Sequence, residues 1–204
     1  MKLYITDGSA YARMARVVVT EKELAPRVEI IHAPTRIANS PYYRVNPSGR
    51  VPYLVRDDGV GMEESALICT YLDHVAGNPT LAIPVRSDRW EALRLEALAR
   101  SMLDGLSVWL RENARPRNEQ SPSVIQHEAA RAARMVDQWE TQIHHPLMSG
   151  SLNMLHITLA CALGLEARMP DFRWRSDHLG LADWYAPIAA RPSFTLTAPP
   201  VASH

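Results

Sequence analysis

The sequence predicts a mixed α/β half followed by an all-helical half. Three observations predict it. Short alternating apolar segments flanked by turn residues fill the first third, in the order strand, helix, strand, then strand, strand, helix. Turn residues from Asn78 to Pro84, just after a helix-ending Gly77, interrupt that pattern. Beyond them, apolar residues recur at three- and four-residue spacing and no alternating segment returns.

Lys2 to Ile5 reads as the first strand. A helix is expected from Ala10 to Leu24, with Ser9 as its N-cap, although Val17, Val18 and Val19 are β-branched and weaken its intrinsic propensity. Arg27 to Ile31 alternates as a second strand, and His32 to Pro47, with three prolines, reads as loop. Tyr53 to Arg56 is the third strand, Asp57 to Gly61 a turn, and a short edge strand follows near Met62. Ser65 to Val75 is a helix ending near Gly77. The order βαβ then ββα is a thioredoxin-like layout, whose parallel pair requires a right-handed crossover. In the second half, Trp90, Leu93, Ala97, Leu98, Met102, Leu106, Trp109 and Leu110 form one helical stripe. Arg115 to Pro122 breaks it, and Ile125 to Ile143 carries the next stripe. Further helices are expected at about 154–165 and 180–190, the last stopped by Pro192. The expected division is a thioredoxin-like domain over 1–77, a linker over 78–86 and a helical bundle domain over 87–204.

Composition narrows the function. The 22 basic and 22 acidic side chains cancel, which argues against a nucleic-acid binder, since such proteins carry a basic excess or patch. No apolar run is long enough to span a membrane, and the first residues pass straight into a strand pattern rather than a leader. Cys69 and Cys161 lie far apart in apolar helical patterns, so no disulfide framework is implied and a reducing cytoplasm is the expected setting. The eight histidines show no metal-site spacing: His144 and His145 are adjacent and cannot both face one site on a helix. No metal is expected.

The chemistry concentrates in Asn46–Val55 and Met62–Ile68. Pro52 cannot sit inside a central ladder; it fits a strand's first position or a cis bend, and a cis bend leaves the main chain of Val51 available to a partner other than its own sheet. Glu64 and Ser65 stand at a helix start, where unpaired N–H groups accept negative charge. A free backbone edge beside a helix N-terminus suits a small peptide, held by its main chain and its carboxylate.

At these residues the chain resembles the cytosolic glutathione S-transferases, of a bacterial, serine-type or related class. Val51-Pro52 matches that family's residue–cis-proline pair, Glu64-Ser65 its acidic residue–serine pair, and Ser9 to Arg16 its opening turn and Arg-rich first helix, with Ala10 in place of a proline. The helix opening at Asn153 also matches, except that His156 stands where the family's capping Asp would be. Asp177 to Tyr185 and Ala190 to Phe194 resemble the closing helix and tail. The resemblance implies a glutathione transferase: glutathione as co-substrate, a small, hydrophobic electrophile, and a two-fold homodimer. It implies that Ser9 donates a hydrogen bond to the glutathione thiolate. The Val51 main chain pairs with the cysteinyl unit, Glu64 holds the γ-glutamyl ammonium, Ser65 the adjoining carboxylate, and Arg50 reaches a carboxylate of the tripeptide. The simpler account of Ser9 is a plain N-cap, and that of Glu64-Ser65 is ordinary helix capping. Tyr11, after the first turn, and Asp104, breaking an apolar stretch, are the candidates for the second-substrate pocket, with packing and a solvated helix face as their simpler accounts. The alternative is a non-catalytic binder of glutathione or an apolar ligand with the same fold.

Overall fold

A computed structural model of the protein describes residues 1–77, 79–84 and 89–200. The described residues divide into two compact units: Met1–Ala82 with Pro192–Pro199, and Ile83–Arg191 with Pro200. The expected linker over 78–86 includes Asn78, Val85 and Arg86, which lie outside the described residues.

The first unit is a four-stranded mixed sheet with the order β2-β1-β3-β4. Strand β1 (Lys2–Ile5) pairs parallel with β2 (Glu29–His32) and antiparallel with β3 (Tyr53–Val55), which pairs antiparallel with β4 (Gly61–Met62). Leu3 and Ile5 alternate inward from β1, joined by Leu54 of β3. Helix α1 (Ala10–Glu21) and helix α2 (Ser65–Ala76) pack together and bury Met14, Val17 and Val18, and Ile68 and Leu72. The valine run in α1 therefore forms helix against its propensity. The deficit is at most about 0.7 kcal/mol per residue, whereas each fully buried valine contributes about 1.5 kcal/mol or more.

Helix α1 ends three residues short of the expected Leu24. Glu23 there has φ 53°, and the Leu24 N–H bonds the Val19 carbonyl instead of continuing the helix. Lys22 Nζ reaches back from this turn to Asp73 of α2 at 2.9 Å and also bonds the carbonyls of Gly77 and Pro79. Asp73 in turn accepts from the Leu81 N–H and the Thr80 hydroxyl at 2.9 and 2.8 Å, so one buried ion pair ties both helices to the segment that follows.

The second unit is helical. Helix α3 (Arg89–Asn113) packs on α4 (Pro122–Gln142) and α5 (Met154–Leu163), and α6 (Leu179–Ala189) packs on α4 and α5. Every residue of α5 is buried, as befits the central helix of a bundle. Asn153 caps it, its Oδ1 accepting from the N–H groups of Leu155 and His156. His156 does not return a bond to the cap's own N–H. Its Nε2 donates to the Leu147 carbonyl at 2.8 Å, and its ring meets Trp184 edge-on. Trp109 and Trp139 are core, but Trp90 is 77% exposed and Leu93 41%. The buried face of α3 opens instead with Ala92, Leu95 and Ala99, rotated from the expected Trp90, Leu93 and Ala97, and meets the expected stripe at Met102, Leu106 and Trp109.

A short helix, α7 (Pro192–Leu196), was not expected: Pro192 opens it, where proline's missing N–H costs nothing. It packs on α1 within the first unit. Phe194 is buried, Arg13 Nη2 donates to its carbonyl at 3.1 Å, and the Arg13 guanidinium lies over its ring. The Ser193 hydroxyl donates to Glu21 at 2.5 Å. Among the described residues no helix is long and apolar enough to cross a membrane.

Candidate functional site

The strand register gathers the candidate residues of the first unit at one end of the sheet. Tyr4, near the end of β1, faces Tyr53, the first residue of β3. Ser9, a few residues beyond β1, and Val51-Pro52, just before β3, therefore flank the same end. Met62 faces Leu54, so continuing that register carries Glu63 and Glu64 alongside Tyr53 and Pro52. Both α1 and α2 begin at this end, and their N-terminal N–H groups and dipoles converge there.

Ser9 is the N-cap of α1, with extended backbone, and its half-buried Oγ accepts from the Ala12 N–H at 3.2 Å. That bond uses an oxygen lone pair and leaves the hydroxyl hydrogen available. Among the described residues nothing accepts it. Capping and donation are therefore compatible in one side chain.

The Val51–Pro52 peptide bond is cis. Among the described residues the Val51 N–H and C=O have no hydrogen-bond partner, which is unusual for a half-buried residue beside a sheet. The preceding carbonyl, of Arg50, is doubly engaged: it accepts from the Tyr42 hydroxyl at 2.6 Å and from Asn46 Nδ2 at 3.0 Å. The Arg50 side chain is exposed.

Glu64 is the N-cap of α2 and adopts φ 72°, ψ 120°, a costly backbone for a residue with a Cβ. Its Oε2 accepts from the Ala66 N–H at 2.9 Å and its Oε1 from the buried Ser65 hydroxyl at 3.3 Å. The ordinary capping role expected as the simpler account is thus present, but a carboxylate has about four acceptor sites, so both oxygens keep capacity for a cation. Gly61, just upstream, lets the Tyr53 ring lie against the β4 backbone: a Cβ there would lie 1.8 Å from the Tyr53 hydroxyl oxygen and displace that ring.

Tyr11 lies half-buried in the first turn of α1, in the same unit as Ser9. Asp104 is exposed on α3 in the helical unit, and the two candidates for the second-substrate pocket thus stand on different units. Three residues that carry polar structure at the sheet end were not singled out by sequence: Tyr42, Asn46 and Asp7. Asp7 lies 3.0 Å from His32 Nε2 and 3.5 Å from Arg16 Nη1. Only Asn46 had a local signal, the Asn-Pro-Ser-Gly turn sequence. Among the described residues no group of His, Cys, Asp or Glu is arranged to hold a metal ion.

The fold has known counterparts. Residues 3–80 match the family model for the glutathione S-transferase N-terminal domain. A protein of Escherichia coli (strain K12) described as an uncharacterized GST-like protein, YibF, is 30% identical over 207 residues, covering 99% of this chain and 100% of that protein. A glutathione transferase family member from Pseudomonas fluorescens Pf-5, solved with bound S-(propanoic acid)-glutathione, is 31% identical, with a TM-score of 0.85 over 98% of this chain and 100% of its own. A glutathione S-transferase from Methylobacillus flagellatus KT, solved with glutathione bound, is 30% identical, with a TM-score of 0.84 over 98% of this chain and 99% of its own. The chain belongs to the glutathione S-transferase family. Its thioredoxin-like sheet followed by a helical region is the architecture of those transferases.

Proposed function

We propose that this protein is a glutathione transferase that binds glutathione over residues 1–77 and uses residues of the helical domain for a small, hydrophobic electrophile. The observation that carries it is the pair of unspent groups at the sheet end: the Ser9 hydroxyl hydrogen and the Val51 main chain. In this reading the Val51 N–H and C=O pair with the cysteinyl unit, which brings its sulfur to Ser9. A thiol ordinarily titrates near pH 8.5. A hydrogen bond from Ser9 and the N-terminal dipole of α1 both favour the charged sulfur and lower that value. Serine is not the base; the proton leaves to solvent, and the thiolate forms a bond to an electrophilic carbon by addition or by displacing a leaving group. Glu64 holds the γ-glutamyl ammonium, while Ser65 and first-turn N–H groups of α2 hold the carboxylate beside it. Arg50 reaches a carboxylate of the tripeptide. Tyr11 contacts the second substrate, and no metal takes part. A two-fold homodimer belongs to this reading; the exposed Trp90 and Leu93, one turn apart on α3, offer it apolar surface, and the two buried cysteines, neither in a disulfide, fit a reducing cytoplasm.

The test is calorimetric titration with reduced glutathione near neutral pH, followed by turnover of a panel of electrophiles by wild type and Ser9→Ala. Loss of one charge-assisted hydrogen bond, worth about 1.5–3 kcal/mol, predicts a roughly 10- to 150-fold lower kcat/KM with glutathione binding retained. Full activity in Ser9→Ala refutes the serine assignment. Binding without turnover of any electrophile points to the non-catalytic binder.

A further inference from the structure

The loop before β3 is organised around one carbonyl. Ser40 caps a single 3-10 turn, Pro41–Arg44, which presents Tyr42 inward, where it is 3% exposed. Its ring packs on Tyr4 of β1, with the ring centres 5.4 Å apart. Four residues on, Asn46 is wholly buried. Its Oδ1 accepts from the Ser48 N–H at 3.0 Å, which settles which end of the amide is which. The NH₂ end then faces both the Tyr42 oxygen, at 3.4 Å, and the Arg50 carbonyl. The three groups close a triangle: Tyr42 donates to Arg50 C=O, and Asn46 donates to both. Burial raises the Tyr42 phenol above its ordinary value, with the Asn46 hydrogen bond opposing, so the hydroxyl stays a neutral donor across the physiological range.

The Arg50–Val51 peptide is planar and trans, so its C=O and N–H point in opposite directions. Fixing the carbonyl with two donors from inside the loop fixes the Val51 N–H pointing away from them. We infer that Tyr42 and Asn46 are positioning residues that clamp the Arg50 carbonyl and thereby aim the Val51 N–H at a peptide ligand's main chain. This rests on the proposed glutathione site, and it assigns the ordering of that site to two side chains behind it. The clamp costs nothing at the moment of binding, because the loop is ordered beforehand; without it, ordering the turn is charged against affinity.

The experiment uses Tyr42→Phe, which removes a single oxygen, and Asn46→Asp, which keeps the acceptor toward Ser48 and removes the donor. Glutathione Kd is measured by calorimetry, the bound thiol is titrated by its ultraviolet absorbance at saturating glutathione, and the Arg50 carbonyl carbon and Val51 amide are followed by NMR in the free protein. The expected result is a Kd raised about five-fold in Tyr42→Phe, the worth of one net hydrogen bond to the carbonyl, and raised further in Asn46→Asp, which loses two donated bonds and puts a carboxylate at a wholly buried position, with the thiol titration as in wild type and the Arg50 and Val51 resonances displaced in both. Wild-type Kd in both variants overturns the clamp, as does weakened binding with unmoved Arg50 and Val51 resonances. If wild type itself does not bind glutathione, the functional reading fails separately. The clamp is then decided by the resonances: displacement in Tyr42→Phe supports it, and no displacement overturns it.

Discussion

Ser9 shows how one side chain holds a helix and keeps a group for chemistry. The two uses separate by substitution. Ser9→Ala removes the cap and costs about 1 kcal/mol, whereas Ser9→Gly costs only a few tenths. Urea midpoints are expected to rank wild type, Gly, Ala, while turnover falls equally in both variants. Turnover that follows the stability ranking instead means that the cap alone matters. Two histidines of the helical unit give a pH signature. Burial lowers His156, the Leu147 carbonyl opposing in part, so the folded protein stays neutral there where the unfolded chain, near 6.5, takes up a proton. The stability it contributes is whole above about pH 6.5 and is lost as pH falls from there through the lowered folded value. His178 is the reverse. Burial opposes its charge, but the hydrogen bond to Asp137 at 2.9 Å, the Trp174 carbonyl and the nearby acids outweigh that and raise it. Its contribution is whole below about pH 6.5 and is lost as pH rises through the raised folded value. Urea midpoints against pH are expected to flatten on the acid side in His156→Gln and on the alkaline side in His178→Gln.

At the scale of elements, the first unit depends on parts distant in sequence. Phe194 of α7 fills its core, and Phe194→Ala is expected to cost about 3–5 kcal/mol in urea unfolding. Asp73 pairs with a Lys22 side chain only 3% exposed. Asp73→Ala leaves that ammonium without its counter-charge, held only by the Gly77 and Pro79 carbonyls, at a cost of up to about 3–5 kcal/mol. An Asp73→Ala protein as stable as wild type shows that Lys22 turns out to solvent. Neither tie was legible in the sequence. The strands and helices were, because period and capping act over a few residues: Ser9, Asn153 and Gly77 mark element ends by local chemistry. Pro192 was read only as a stop, yet it starts α7, since proline serves both roles and only the packing of Phe194 decides between them. Trp90 was placed on the apolar stripe of α3 because three- and four-residue spacing also fits a second row there; Ala92, Leu95 and Ala99 form the face that is covered, and packing alone decides between the two.

For the whole molecule, ligand linkage is the direct readout of the proposed site. Glutathione at a hundred times its Kd is expected to raise unfolding free energy by about 2.7 kcal/mol if it binds only the folded form. No thermal shift at that excess counts against a native-state site. Sedimentation at micromolar protein is expected to give a dimer, and a monomer there removes the two-fold assembly from the proposal. The sequence by itself determined the order of the four strands and the longer helices and the α/β-then-helical class, and it nominated the residues of the candidate site, because turns, caps and hydrophobic period are local properties of the chain. Only the tertiary structure decided that Pro192–Pro199 completes the first unit, that strand register brings Ser9, Val51 and Glu64 to one sheet end, and that Tyr42 and Asn46 hold the Arg50 carbonyl. Those facts depend on contacts between residues far apart or on side-chain direction, which spacing along the chain does not encode.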